Sequence, residues 1–125
     1  GGAAAISQAL RLYRGDFLPE EPYLEWALRE RERLRALYLN TLMAWLDERL
    51  TAQAWAEALL LTQHILAREP WLEEVWRAQI RCLSALGRRS EALHAYQECV
   101  RALRAELDVE PGSETRAVYE QLKAL

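Results

Sequence analysis

Apolar residues recur along most of this chain at intervals of three and four, the period of helices with one buried side. The pattern predicts about six helices. The first covers about Ala3 to Tyr13, with Ile6, Leu10 and Tyr13 on one side, and ends at Gly15. Arg14 to Glu21 reads as a loop punctuated by Gly15, Pro19 and the following Pro22; Phe17 and Leu18 are expected to tuck it against the helices, and Asp16 to cap backbone donors. The second helix is long, from about Pro22 to Leu50. Its stripe of Leu34, Leu37/Tyr38, Thr41/Leu42, Trp45/Leu46 and Leu50 predicts one buried face, and the run Arg29-Glu30-Arg31-Glu32-Arg33 a solvated one with local ion pairs. The third runs from about Ala54 to Arg68, before Pro70. The fourth covers about Leu72 to Leu86, with Gly87 as its stop. The fifth opens at Ser90 as N-cap and reaches about Leu107; the sixth starts near N-cap Ser113 and carries Val118, Tyr119 and Leu122 on one side. Nothing alternates with period two, so the expected class is all-α.

Within this pattern the chain repeats itself weakly at 34 residues. Glu57-Ala58-Leu59 returns as Glu91-Ala92-Leu93, with Gln63/Gln97 and Ala44/Ala78 on the same offset. Helix–turn–helix units at that period are tetratricopeptide-like, predicting a right-handed stack of antiparallel helix pairs. Ala58 and Ala92 take the small position where paired helices approach closely, while Trp76 and Leu42 share a bulky one. Tyr96 fills a large site whose counterpart is only Thr62, and Pro70 corresponds to Arg104, so the first repeat is degenerate. The first helix of each pair lines the inner wall of such a stack. On this register Asn40, Met43 and Asp47, then Glu74, Arg77 and Arg81, are the candidate groove residues. Arg77 and Arg81, one turn apart, suit a carboxylate or phosphate clamp; pairing with Glu73, Glu74 or Asp47 is the plainer reading.

Composition removes several function classes. The 125 residues suit one domain with its own core, 51% apolar and 28% charged. The net charge of −3, with bases scattered among acids, argues against tight nucleic-acid binding by this segment. No apolar run is long enough for a membrane span, and no signal peptide is evident. Cys82 and Cys99 lie within helical patterns and read as buried reduced thiols, which fits a cytoplasmic address. His64 and His94 have no ligand-spaced partners, so no metal is expected; no cofactor motif and no nucleophile–base pair stands out, so no enzyme is expected. The Gly1-Gly2 start and single Met43 suggest a fragment of a longer protein.

Three local sequences are more specific. Tyr13-Arg14-Gly15-Asp16-Phe17-Leu18-Pro19, followed by Trp26 and the Arg/Glu run to Arg35, resembles the opening of the bacterial transcriptional activator domain. Ala85-Leu86-Gly87-Arg88-Arg89-Ser90-Glu91-Ala92-Leu93 with Tyr96 is similar to its central repeat. Glu106-Leu107-Asp108-Val109-Glu110-Pro111, with Glu114-Thr115-Arg116 and Tyr119, resembles its closing signature. Gly112 stands where a Ser is common in that family. The resemblance, best known from the Streptomyces antibiotic regulatory proteins, implies a single domain over 1–125 that ordinarily follows a winged-helix DNA-binding domain. It further implies docking on that domain, homodimer formation and coupling to RNA polymerase, with DNA reached only through the missing domain.

The closing motif also has a physical reading. Pro111 is expected to break the fifth helix, Leu107 and Val109 to anchor the link, and the last helix to cap an apolar end of the stack. Trp26, Arg29 and Trp71 are candidate interface anchors, because those residue types carry much binding energy. A regulatory protein–protein interaction and oligomerisation domain is therefore the leading expectation. A stand-alone peptide-binding adaptor, or a sensor of a nucleotide or metabolite, are the alternatives.

Overall fold

The computed structural model describes residues 2–6 and 23–125, and among these every regular element is helical. Residues 2–6 form a helical stretch, α1. It is followed by α2 (Leu24–Thr51), α3 (Trp55–Arg68), α4 (Glu73–Ala85), α5 (Arg89–Leu107) and α6 (Ser113–Ala124). The helices pack in adjacent pairs, giving the expected all-α, tetratricopeptide-like architecture. The rest of the expected first helix, to Tyr13, and the Arg14–Glu21 loop with Pro22 lie outside the described residues. The chain divides into two compact units, Gly1–Thr41 and Leu42–Leu125.

In the first unit, α2 starts with Glu25 in its first turn, where an acid complements the helix dipole. The Arg/Glu run is solvated, as expected, and laced by local pairs: Glu25 with Arg29 at 3.2 Å, Glu30 with Arg33 at 2.9 Å and Glu32 with Arg35 at 2.8 Å. Ala27 is buried. The expected buried stripe is not: Leu34 and Leu37 are each 55% exposed and Tyr38 43%. The same holds where α2 continues into the second unit, since Trp45 is 53% exposed while Leu42 and Leu46 are buried. Leu42 and Leu46 lie one turn apart on a narrow line beside the wider apolar band. Amphipathic spacing marks which residues can be buried, and the covering surface decides how many are.

In the second unit, α4 packs against α3 on one side and α5 on the other, and α6 lies against both α4 and α5. The small positions hold as expected, with Ala58 and Ala92 fully buried. The core around them is Leu59, Ile65, Val75, Trp76, Ile80, Leu83 and Leu103. Each such aliphatic side chain contributes about 2 kcal/mol by leaving water. Trp76 keeps its polar atom satisfied by donating from Nε1 to the Pro70 carbonyl at 2.8 Å, which ties the α3–α4 turn to the core. Thr62, at the degenerate large site, is fully buried and donates to the Leu59 carbonyl at 2.7 Å. Cys82 and Cys99 are buried and free, as the sequence predicts.

The 34-residue period reappears in the turns. After α2 the Ala54 and Gln53 amides donate to the Arg49 and Leu50 carbonyls, with Gln53 at φ 56°. After α4 the Arg88 and Gly87 amides donate to the Leu83 and Ser84 carbonyls, with Gly87 at φ 75°. Both are the paired 6→1 and 5→2 bonds of a Schellman C-cap. The same stop is thus built twice, once on glycine and once on glutamine. The second turn leads straight into α5 at Arg89, so Ser90 is a helical residue and not the expected N-cap. Arg88 holds the N-cap position, and its side chain pairs with Glu91 at 2.5 Å.

The closing helix differs from expectation in what holds it. α5 ends at Asp108, which adopts φ 53° three residues before Pro111. Leu107 and Val109 are about half exposed, and Pro111 is the buried residue of the link. Ser113 is the first residue of α6, and Gly112 before it makes no side-chain cap. Glu73 of α4 supplies the cap instead, its Oε1 accepting the Gly112 amide at 2.6 Å. At the other end, Arg89 of α5 donates from Nε and Nη2 to the Leu122 carbonyl at 3.2 and 3.1 Å. A carboxylate at the N-terminus and a guanidinium at the C-terminus are the charges the helix dipole favours. Both arrive from the preceding repeat.

Candidate functional site

The six groove residues expected from the repeat register end in different surroundings. Asn40 and Asp47 are exposed on α2 and Met43 is half-buried there. Glu74 is exposed in the first turn of α4. Arg77 is half-buried and turned toward α6. It donates from Nη1 to the fully buried Thr115 hydroxyl at 3.0 Å and pairs with Glu114 at 3.4 Å. Its partners are therefore neither Glu73, Glu74 nor Asp47, and its guanidinium is committed to the closing helix. The Tyr96 and Tyr119 rings complete that contact, stacked at 4.2 Å between centroids and 9° between planes. Lys123 lies over the Tyr119 ring at 4.9 Å. The closing signature is thus a structural clamp, with Leu122 buried and Tyr119 packed as cap residues.

Arg81, one turn beyond Arg77, faces elsewhere. Its guanidinium carbon lies 5.1 Å from the centroid of the Trp55 ring at the start of α3. Arg81 also lines an open depression with Asp47, Leu50, Thr51 and Gln53. Two of the groove residues, Asp47 and Arg81, are brought together here, and Leu50, Thr51 and Gln53 join them, none of which the repeat register marks as a groove residue. Gln53 and Trp55 sit in and just after the α2–α3 turn, and only the alignment of Gln53 with Gly87 hinted that this turn was unusual. Beside the depression Arg49 ties the α2 end to α3, bonding both Glu48 and, at 3.1 Å, Glu57. These bonds hold the Glu48 carboxyl below its ordinary range, the Arg49 hydrogen bond being the main cause.

Of the expected anchors, Trp26 is 44% exposed on α2, and Arg29 is exposed and paired with Glu25. Trp71 is half-buried in the turn before α4. The wider apolar face of Leu34, Leu37 and Tyr38 is the larger exposed feature. Its helical spacing predicts a core face, so nothing in the sequence marks it as a surface.

No cluster among the described residues has the donor set for a metal ion. The Cys99 thiol is pushed up to about 12, by burial first and then by the nearby Glu73 carboxylate, and burial likewise raises Cys82. Both thiols are therefore protonated at neutral pH and poor nucleophiles. Among the described residues no helix is long and apolar enough to cross a membrane.

Comparison with curated proteins and with solved structures gives no match. Among family models, the bacterial transcriptional activator domain matches residues 1–123. That family is one of regulatory domains, not of enzymes. Its match spans the helical repeats, the Gly87 turn and the clamped closing helix, so the chain belongs to the bacterial transcriptional activator domain family of transcriptional regulators.

Proposed function

We propose that this domain acts by protein–protein docking and self-association within a bacterial transcriptional regulator, working in the cytoplasm beside a winged-helix DNA-binding domain. The observation that supports this most is the solvent-facing apolar band of α2. Leu34, Leu37 and Tyr38 succeed one another at helical spacing, each about half exposed. Such contiguous apolar surface is costly to leave wet and is the usual mark of an interface. Trp26 and Arg29 on the same helix are residue types that anchor interfaces. A second copy of the domain, the DNA-binding domain and RNA polymerase are the partners this reading assigns. Their docking would set how the attached domain engages a promoter.

Sedimentation equilibrium tests the self-association step. The chain is expected to dimerise at tens of micromolar, about −6 to −7 kcal/mol. The double variant Leu34→Glu, Leu37→Glu should be monomeric with an unchanged helical circular-dichroism spectrum. A wild-type chain that stays monomeric at millimolar concentration would sink self-association and leave only docking on other proteins.

A further inference from the structure

The depression at the α2–α3 turn presents opposite charges that do not neutralise each other. Asp47 and Arg81 both line it, and neither has an ion-pair partner among the described residues. The Arg81 guanidinium lies over the Trp55 ring at 5.1 Å, within cation–π range. The Thr51 hydroxyl donates to the Asp47 backbone carbonyl at 2.9 Å within the last turn of α2. Gln53 lines the same depression from a left-handed backbone at φ 56°. The equivalent turn one repeat later uses Gly87 at φ 75°, so the chain keeps a side chain here where the backbone favours none. Leu50 supplies the apolar part of the wall.

We propose that this depression binds the charged head of a free α-amino acid. Arg81 takes the carboxylate through two parallel N–H donors, and Asp47 accepts from the ammonium. The Gln53 amide reaches whichever group is left unsatisfied, and Leu50 meets the first carbons of the side chain. The charge pattern selects a zwitterion over simpler ligands. A lone anion on Arg81 is repelled by Asp47, and a lone cation on Asp47 by Arg81. The interior of a peptide carries neither charge, and a peptide terminus only one. The site is separate from the α2 apolar band and does not depend on the docking role proposed for that band.

The test is a titration of the full chain followed by the Trp55 indole N–H in two-dimensional 15N NMR, assigned by its loss in Trp55→Phe. Glycine and L-leucine are the probes, with sodium acetate and ethylammonium chloride as single-charge controls. Both zwitterions are expected to move the resonance saturably, leucine at lower concentration because of Leu50. Each control should need at least about tenfold more. Asp47→Asn and Arg81→Gln, both at exposed positions, should each raise the half-saturating concentration about tenfold while the other resonances keep their dispersion. The proposal is overturned by the absence of a saturable shift up to about 50 mM of either zwitterion. It is equally overturned by acetate acting as well as glycine, or by a leucine titration unchanged in Asp47→Asn.

Discussion

In the second repeat, α4 and α5 meet a closing helix through specific side-chain contacts: Glu73 and Arg89 at its two ends, Arg77 on Thr115, Tyr96 on Tyr119. In the first, α2 carries an apolar band of equal promise and leaves Leu34, Leu37, Tyr38 and Trp45 about half in water. The period that relates the two repeats is the same. The difference lies in covering: one repeat has its cap within the chain, the other presents its surface outward. A repeat fold thus separates the part that is capped within the chain from the part that leaves apolar surface exposed.

The sharpest way to break this contrast is to truncate one residue of each kind. Ile80, on α4, is essentially inaccessible, and Ile80→Ala should cost about 2–5 kcal/mol in urea denaturation. Leu34→Ala on α2 should change stability by no more than about 0.5 kcal/mol. Equal losses would mean that the α2 band is core after all. A smaller effect separates the arginines. Arg77→Ala leaves the buried Thr115 hydroxyl without its donor, for about 1–3 kcal/mol. Arg29→Ala removes only the exposed pair with Glu25, for about 0–1 kcal/mol, and high salt should erase even that.

The helices of the second unit are legible in the sequence because their punctuation is local. Gly87 stops α4, Pro70 precedes it, and the alanines at 58 and 92 mark the close approach. The caps of α6 are not local. Ser90 and Ser113 look like N-caps because Ser suits that position, but the Gly112 amide is taken by Glu73, 39 residues away. No short window contains that pair. The α2 band failed for a related reason, since spacing reports which residues share a face and says nothing of what lies opposite. In the candidate groove a shared register links Arg77 with Arg81, whereas Arg77 bonds Thr115 of α6 and Arg81 lies over Trp55 of α3.

The two Schellman turns sharpen the comparison at its finest scale, because there the repeats share backbone geometry and differ in one side chain. A residue with a Cβ pays about 1–2 kcal/mol in the left-handed region, while glycine pays part of that back through the greater freedom it loses on folding, about 0.5–1 kcal/mol. At Gly87 a Cβ would meet nothing within 4 Å, so Gly87→Ala isolates the backbone term and should destabilise by about 1 kcal/mol. Gln53→Gly makes the converse change in the first repeat and should stabilise by about 0.5–1 kcal/mol in the same urea experiment. The two shifts should be opposite in sign and similar in size, because the turns make the same pair of backbone bonds. A Gln53→Gly variant that loses stability would show that the glutamine side chain supports the fold. A gain would show that the side chain has no folding role at a position that lines the depression with Asp47 and Arg81.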